Sequence, residues 1–268
     1  MESTELKQIL LSAVNASISA GVEILKIYKS DFEVELKDDN SPLTIADKKS
    51  NDIIYDALAS FEIPFLSEEG KEIPYDERKK WDYLFIIDPL DGTKEFVKKN
   101  GEFTVNIALV NKDKPILGVI YSPVSGELFF SLADFGVYKK TSFKSFSDIK
   151  LLINDAIELP KNNERTKYII VGSRSHMSKE TQAFFEKKKN EYNEVEILAI
   201  GSSLKICMVA EGKADVYPRY APTMEWDTAA GHAIANMAGF KVLKYQSNEE
   251  IKYNKKSLLN PWFLVTKN

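Results

Sequence analysis

The sequence of 268 residues contains very little cysteine and histidine, which limits the metal and redox chemistry that it can carry. Cys207 is the only cysteine, so an internal disulfide and a cysteine-based structural metal site are both excluded. His176 and His232 are the only histidines, which argues against a histidine-rich zinc centre. Any bound metal is therefore expected to have oxygen ligands and to be a hard cation such as magnesium, manganese or calcium.

A basic excess and a long apolar run are also missing. Thirty-six Lys and Arg residues against forty Asp and Glu residues give a net charge of −4, which argues against a nucleic-acid polymer as partner. An anionic substrate must then be neutralised locally, by metal ions or helix ends. No apolar run approaches the ~20 residues of a membrane helix, and the N-terminus lacks the pattern of a secretory signal. We expect no transmembrane segment and a cytoplasmic location, with a peripheral position at the inner membrane left open.

Apolar spacing predicts two portions of different organisation. The first portion has helical periodicity and then a series of strands whose intervening turn signals favour antiparallel pairing. The predicted elements are helices over 6–28 and 44–61, and strands over 63–66, 83–87, 103–110, 116–121 and 127–132. In the second portion strands and helices alternate, which is typical of an α/β layer. These strands are predicted over 168–171, 194–199 and 214–217, and the helices over 179–189, 202–211 and 227–237. The polar stretch between the portions predicts two subdomains, 1–140 and 141–268.

The segment Asp88-Pro89-Leu90-Asp91-Gly92-Thr93 carries the strongest chemical signal. A buried strand over 83–87 is expected to stop at Asp88 and to place two carboxylates in one small volume, where a bound cation keeps both ionised. Gly92 lets the backbone approach a ligand, and Thr93 stands where a short helix can begin, with free amides that suit a phosphate. An Asp-rich turn with a helix cap is the structural alternative.

Three further motifs are weak when taken singly. Glu68-Glu69-Gly70 follows a short strand, but adjacent Glu residues in a loop are usually a solvated surface. Asp227 opens an Ala-rich predicted helix, where it can be an N-cap or a precisely fixed metal ligand. Gly201-Ser202-Ser203 precedes another predicted helix, as a cap or as a ligand-binding turn. Thr44 is predicted to cap the helix that begins there.

Taken together, the order and spacing of Glu68-Glu69, the Asp88 to Thr93 segment and Trp226-Asp227 resemble the inositol monophosphatase superfamily over nearly the whole chain. The resemblance looks strongest to the branch of CysQ-type 3′(2′),5′-bisphosphate nucleotidases. The segments that carry it are Asp88 to Phe96, Gly201 to Lys205, Ala210-Glu211-Gly212, Tyr217-Pro218-Arg219 and Trp226 to His232. This resemblance implies an α+β fold, a five-layered αβαβα sandwich.

The same resemblance implies the residues of the site. Its metal ligands, for two or three Mg²⁺ ions, are Glu68, Asp88, the Leu90 carbonyl, Asp91 and Asp227, so the first subdomain carries most of them. Thr93 with Glu68 would orient and activate the attacking water, and Asp47 corresponds to an Asp near a further metal and water. The amides of Gly92 and Thr93 would hold phosphate oxygens. The implied substrate-binding residues are Asp91, Gly92, Thr93, Ser173, His176, Gly201, Ser202, Arg219 and Asp227.

The implied reaction is Mg²⁺-dependent hydrolysis of the 3′-phosphate of adenosine 3′,5′-bisphosphate, which gives AMP and phosphate by direct attack of water. Inositol monophosphatase activity is the nearest alternative. That branch has a Glu seven residues before the Asp of its Trp-Asp pair, whereas this sequence has Tyr220 there and Arg219 beside it. An Arg suits a second phosphate better than a hydroxyl, and Arg174 and His176 could complete a 5′-phosphate or ribose pocket. A non-catalytic sensor of magnesium and nucleotide is the alternative of a different class. A monomer and a homodimer are both compatible with the sequence.

Overall fold

The computed structural model describes residues 1–36, 42–141, 144–161, 165–172 and 178–267. Its helices are α1 Ser3–Tyr28, α2 Ile45–Leu58, α3 Tyr75–Arg78, α4 Thr93–Val97, α5 Ile149–Ile153, α6 Lys179–Glu191, α7 Leu204–Ala210 and α8 Ala229–Met237. A short 3-10 turn, Ala59–Phe61, extends α2. Its strands are β1 Val34–Leu36, β2 Pro42–Thr44, β3 Phe65–Ser67, β4 Tyr83–Asp91, β5 Thr104–Asn111, β6 Lys114–Ser122, β7 Glu127–Leu132, β8 Gly136–Lys140, β9 Ile157–Glu158, β10 Tyr168–Gly172, β11 Val195–Ala199, β12 Val216–Arg219, β13 Phe240–Lys244 and β14 Phe263–Lys267.

A seven-stranded sheet with the order β3-β4-β5-β6-β7-β8-β9 forms the centre of the molecule. Strands β3 and β4 are parallel, and every later pair in this sheet is antiparallel, as the turn signals predict for β5 with β6 and for β6 with β7. The strand expected to stop at Asp88 continues as β4 to Asp91. Its pairing with β5 shifts in register between these two residues, so the expected strand end is instead a β-bulge. Pro89 has no amide hydrogen to donate, and a bulge tolerates its presence inside the sheet.

Five layers follow one another in the order predicted for an αβαβα sandwich. Helices α1 and α2 pack on one face of the seven-stranded sheet, and α8 packs on the other face together with α7. A five-stranded sheet with the order β11-β10-β12-β14-β13 covers α7 and α8, and α6 covers its far face. The α+β class and the layer order are thus confirmed. The division at residue 140 stays a prediction, and β9, which lies beyond it, completes the large sheet.

Helix α1 is the element that bears on the prediction of no membrane span, which was based on the lack of a long apolar run. In the described part of the chain, α1 is the one helix that is long and apolar enough to cross a membrane. Within the fold, 56% of its apolar window is buried. Ile9, Leu10 and Ile24 are buried in the core between α1 and the large sheet. This packing is that of a core helix.

Gly118 allows the closest approach between α8 and the large sheet. A Cβ atom at this position of β6 would lie 2.2 Å from the Ala230 carbonyl oxygen and 3.0 Å from the Ala233 Cβ. The obstacle is helix backbone, which cannot rotate away as a side chain can. Since the residues that follow Asp227 form α8, this contact also fixes the depth at which that segment sits.

We predict that Gly118→Ala destabilises the protein by about 1–3 kcal/mol, the usual cost of overpacking a core. Urea denaturation measures the change. Ser131, the residue paired with Gly118 on β7, provides a matched control on the same strand pair. Its hydroxyl is buried and has no hydrogen-bond partner among the described residues, so Ser131→Ala should leave stability unchanged or slightly higher. Wild-type stability for Gly118→Ala would show that α8 can move away from the sheet.

Candidate active site

Three carboxylates from distant parts of the chain converge at one edge of the large sheet. One oxygen from each of Glu68, Asp88 and Asp227 lies within 4.8 Å of the others. Strands β3 and β4 are parallel neighbours, so Glu68, which follows β3, lies beside the part of β4 that contains Asp88, and the Glu68 amide donates to the Ile87 carbonyl at 3.2 Å. Asp227 reaches the cluster from the segment before α8. The structure therefore brings together three of the predicted metal ligands.

Ionisation of the carboxyl groups in this cluster is energetically unfavourable without a bound cation. Asp88 is 1% exposed, and burial raises the pKa of its carboxyl well above the usual range, as do the carboxylates of Glu68, Asp91 and Asp227. Burial likewise raises the pKa of Asp227 to about 8, with the Asp91 carboxylate adding to the effect. The Met224 amide donates to Asp227 Oδ2 at 2.8 Å and works in the opposite direction. A cation would remove this repulsion, and an all-oxygen donor set fits a hard divalent ion.

Asp91 is held by donors that converge on its Oδ2 atom. The Ser203 amide and hydroxyl both donate to it at 2.6 Å, and Asn106 Nδ2 donates at 3.2 Å. The Ser203 hydroxyl also lies 2.8 Å from the Asp227 carbonyl oxygen and accepts from Asn106 Nδ2 at 2.9 Å. Ser203 therefore connects the β4 bulge to the segment before α8. It precedes α7 without a side-chain capping bond, so the expected cap at Gly201-Ser202-Ser203 is replaced by this link.

Asp227 was also a candidate N-cap, and the structure gives it a different place. Helix α8 begins two residues later, at Ala229, with Thr228 in the cap position and no side-chain capping bond. Asp227 lies before the cap, and its carboxylate faces the cluster with Glu68 and Asp88. The geometry agrees with the alternative in which this carboxylate is a fixed ligand.

Asp47, Thr93 and the Leu90 carbonyl form a second polar group beside the bulge. The Thr93 hydroxyl donates to Asp47 Oδ1 at 3.0 Å and lies 3.3 Å from the Leu90 oxygen. Asp47 Oδ2 accepts from the Thr44 amide and hydroxyl at 2.7 and 2.6 Å, which completes the predicted cap of α2 as a capping box. Burial raises the pKa of Asp47, although these donors lower it.

A cavity of about 140 Å³ opens between the two sheets beside these carboxylates. Six of the nine predicted substrate-binding residues line it: Asp91, Gly92, Gly201, Ser202, Arg219 and Asp227. Thr93 belongs instead to the group around Asp47. Ser173 and His176, and with them Arg174, lie outside the described residues. Glu68 lines a second, adjoining cavity of about 340 Å³.

The structure shows why two residues that line this cavity are glycines. Gly92 has φ +93°, in the left-handed region, where the chain turns from β4 into α4. A Cβ on Gly201 would lie 2.7 Å from the Glu102 carbonyl oxygen, and the Gly201 amide donates to the Glu102 carboxylate at 2.8 Å. Each glycine permits a close approach of backbone at the rim of the cavity.

Cationic side chains line the same cavity as Asp91 and Asp227. Arg219 ends β12 and donates through Nη2 to the Pro222 carbonyl at 2.9 Å, while its Nε is buried without a hydrogen bond to any described residue. Lys205 is 7% exposed and donates to the carbonyls of Ile200 and Ser202. Burial lowers the pKa of Lys205 to about 8, although the Asp91 carboxylate raises it.

Lys94 lines the cavity together with Lys205 and Arg219. Sequence reasoning assigned no role to Lys94 or to Lys205. Lys205 lies in the otherwise apolar helix α7, and a lone lysine in such a helix is a signal that could have identified it. Lys94 gave no such signal, because a lysine in a short polar helix is common at any surface.

Comparison with known proteins agrees with this geometry. The profile of the inositol monophosphatase family matches residues 5–265. The 3′(2′),5′-bisphosphate nucleotidase CysQ of Shigella flexneri is 40% identical over 252 residues, 92% of this chain and 95% of that protein. CysQ of Buchnera aphidicola is 44% identical over 229 residues, 84% of this chain and 80% of that protein.

Solved structures lead to the same family. CysQ from Bacteroides thetaiotaomicron, a bacterial member of the inositol monophosphatase family, superposes with a TM-score of 0.91 at 48% identity and covers 97% of each chain. The extragenic suppressor protein suhB from Bartonella henselae has a TM-score of 0.74 at 25% identity, over 97% of this chain and 94% of that chain. The chain belongs to the inositol monophosphatase family, whose members are metal-dependent phosphatases.

Proposed function

We propose that this enzyme is a 3′(2′),5′-bisphosphate nucleotidase that hydrolyses the 3′-phosphate of adenosine 3′,5′-bisphosphate to give AMP and phosphate. The observation that carries the proposal is the composition of the 140 Å³ cavity. Asp91 and Asp227 line it beside the carboxylate cluster, and Lys94, Lys205 and Arg219 line it as cations. A substrate with two phosphates suits such a cavity, because one phosphate can be held by metal and the other by the cationic side chains. The names of the CysQ relatives support the same reaction.

We assign the metal-holding role to Glu68, Asp88, Asp91, Asp227 and the Leu90 carbonyl, and we propose two or three Mg²⁺ ions. When bound, such ions supply Lewis-acid activation of the phosphate and of the attacking water. The carboxylates contribute fixed negative charge, and the hydrogen bonds to Asp91 Oδ2 and Asp227 Oδ2 hold them in place without rearrangement.

Thr93, Asp47 and Glu68 would orient the water. Because the Thr93 hydroxyl donates to Asp47 Oδ1, its oxygen lone pairs are free to accept a hydrogen bond from water. The proton removed from water can then pass through Thr93 to Asp47, while Glu68 fixes the other hydrogen of the water. The amides of Gly92 and Thr93 at the start of α4 would hold phosphate oxygens, and Gly201 and Ser202 would line the ribose side.

Location and assembly belong to the same proposal. We place the enzyme in the cytoplasm, acting on a small nucleotide as a monomer or a homodimer. The peripheral membrane position considered from the sequence has no support in the structure of the described residues, since the apolar face of α1 is packed in the core.

The substrate assignment is tested by measuring phosphate release with Mg²⁺ from adenosine 3′,5′-bisphosphate, inositol 1-phosphate and fructose 1,6-bisphosphate side by side. We expect the nucleotide to give the highest kcat/KM, because it alone offers a nucleoside with phosphates on either side of the ribose. Faster turnover of the inositol ester would contradict the substrate and leave the metal site intact. Tight nucleotide binding without phosphate release would instead favour the sensor alternative.

Arg219 is predicted to recognise the 5′-phosphate. Arg219→Gln should lower kcat/KM for adenosine 3′,5′-bisphosphate by about 10- to 100-fold, the effect of losing a charged hydrogen bond. The variant should leave 3′-AMP, which lacks only the 5′-phosphate, almost unaffected. Arg165→Gln is the matched control, because Arg165 bonds the Lys213 carbonyl and Asp215 at the opposite end of the same strands. Equal losses on both substrates would mean that Arg219 does not contact the 5′-phosphate.

Asp88→Asn should separate stability from activity. It removes the buried member of three mutually repelling carboxylates, so the variant should melt at a higher temperature than the wild type in EDTA. Addition of Mg²⁺ should raise the melting temperature of the wild type but not that of the variant. Phosphate release should fall about a thousand-fold, since several kcal/mol of metal stabilisation are lost. A variant that melts below the wild type in EDTA would show that repulsion at Asp88 is already relieved without metal.

A further inference from the structure

Glu225 is a completely buried carboxylate that the proposed mechanism does not use. It is 0% exposed, and it precedes Asp227 by two residues. Its oxygens accept from the Asn254 amide at 2.6 Å, from the Lys255 amide at 3.0 Å and from Lys255 Nζ at 2.5 Å. A buried charge survives only when such donors surround it. Glu225 therefore attaches the segment before α8 to the loop at residues 254–255.

Arg78 reaches the same loop from the opposite direction. It is 3% exposed at the end of α3, and its Nε donates to the Ile73 carbonyl at 2.9 Å. Its Nη1 donates to Asn254 Oδ1 at 2.8 Å, and Nη1 and Nη2 lie 3.2 and 3.3 Å from the Lys255 carbonyl. Asn254 Nδ2 donates back to the Arg78 carbonyl at 2.8 Å. The guanidinium thus joins the loop that follows Glu68 to the loop that Glu225 holds.

These contacts form one continuous network, which we call the Arg78–Glu225 bridge; it consists of the buried residues Arg78, Asn254 and Glu225 and the half-buried Lys255. One end of it reaches the loop of Glu68, and the other end lies two residues from Asp227. Arg78 also lines the 340 Å³ cavity together with Glu68 and Trp226, so the bridge borders the same cavity as one carboxylate of the cluster.

We propose that the Arg78–Glu225 bridge is a positioning device that holds Glu68 and Asp227 at the separation needed by a shared divalent cation. One oxygen from each of Glu68, Asp88 and Asp227 lies within 4.8 Å of the others, so the three ionised carboxylates repel one another. Glu68 and Asp227 belong to separate loops, and repulsion alone would separate those loops. The bridge resists this movement, because the bonds of the 254–255 loop to Arg78 and to Glu225 join segments far apart in sequence. The inference rests on the proposed metal-binding role of these carboxylates.

The test measures Mn²⁺ affinity in the absence of substrate, by the electron paramagnetic resonance signal of free Mn²⁺. Arg78→Gln and Glu225→Gln should each weaken binding by about 10-fold or more, the usual effect of losing a residue that orients a metal ligand. Arg78→Lys should bind Mn²⁺ as weakly as Arg78→Gln, because one ammonium group cannot contact the Ile73 carbonyl and the 254–255 loop together. The double variant should lose less than the product of the two single losses, because both substitutions open one bridge.

The controls separate positioning from general stability. Arg165→Gln removes an arginine that likewise bonds a backbone carbonyl and a side-chain oxygen, but at the far end of β10 and β12. It should keep wild-type Mn²⁺ affinity even if its melting temperature falls as much as that of Arg78→Gln. If Arg78→Gln does not fold, Arg78→Lys and Glu225→Gln still decide the question.

Two outcomes would overturn the inference. One is wild-type Mn²⁺ affinity in both Arg78→Gln and Glu225→Gln, and the other is a loss of affinity in Arg165→Gln equal to the loss in these two variants. A wild-type protein that bound Mn²⁺ but released no phosphate from any of the three esters would instead contradict the proposed function. In that case the Mn²⁺ affinities of the variants would still decide whether the bridge positions the carboxylates. Absence of Mn²⁺ binding by the wild-type protein would contradict both the positioning role of the bridge and the assignment of the metal ligands.

Discussion

The repulsion among the carboxylates around Asp88 is the constraint on which the rest of the structure depends. Burial alone makes a charged Asp88 unfavourable, and Glu68, Asp91 and Asp227 increase the cost. The fold opposes this with short, directed hydrogen bonds to neighbouring carboxylates, from Ser203 to Asp91 and from the Met224 amide to Asp227. Without a rigid frame the acidic groups would separate or become protonated. The frame is therefore as much a part of a metal site as the ligands are.

The frame comes from the large sheet and from the segments before α7 and α8, which explains why no short segment of sequence contains the site. The large sheet supplies Glu68 and Asp88 from the parallel pair β3 and β4, and the bulge in β4 turns Asp91 towards Ser203. The segment before α8 supplies Asp227, and the close contact of α8 with Gly118 limits how far that segment can move. A strand that simply ended at Asp88 would not present Asp91 in this way, so the bulge is what brings Asp91 to Ser203.

Much of this could be predicted from sequence, and the exceptions have physical reasons. The Asp88 to Thr93 segment was recognisable because strand, carboxylates and glycine are adjacent in the chain. The role of Ser203 was not, since its partner Asp91 is 112 residues away and no local pattern records such a distance. The bulge was missed because proline usually ends a strand. Strands β13 and β14 were not predicted, although they complete the five-stranded sheet. The roles of Ser173 and His176 stay predictions.

Groups of opposite charge line one cavity, and they correspond to two tasks of a phosphatase of this family, cleavage of the ester and choice of the substrate. Our proposal assigns cleavage of the phosphate ester to carboxylates contributed by the large sheet and by Asp227. It assigns the choice of substrate to groups that approach from the five-stranded sheet and α7, among them Arg219 and Lys205. These cations belong to other elements of the fold than the carboxylates of the large sheet, although they interact electrostatically with Asp91 and Asp227. Under this proposal, Arg219 and Tyr220, which stand where the sequence resemblance places a carboxylate in the inositol branch, would change the specificity and leave the reaction centre unchanged.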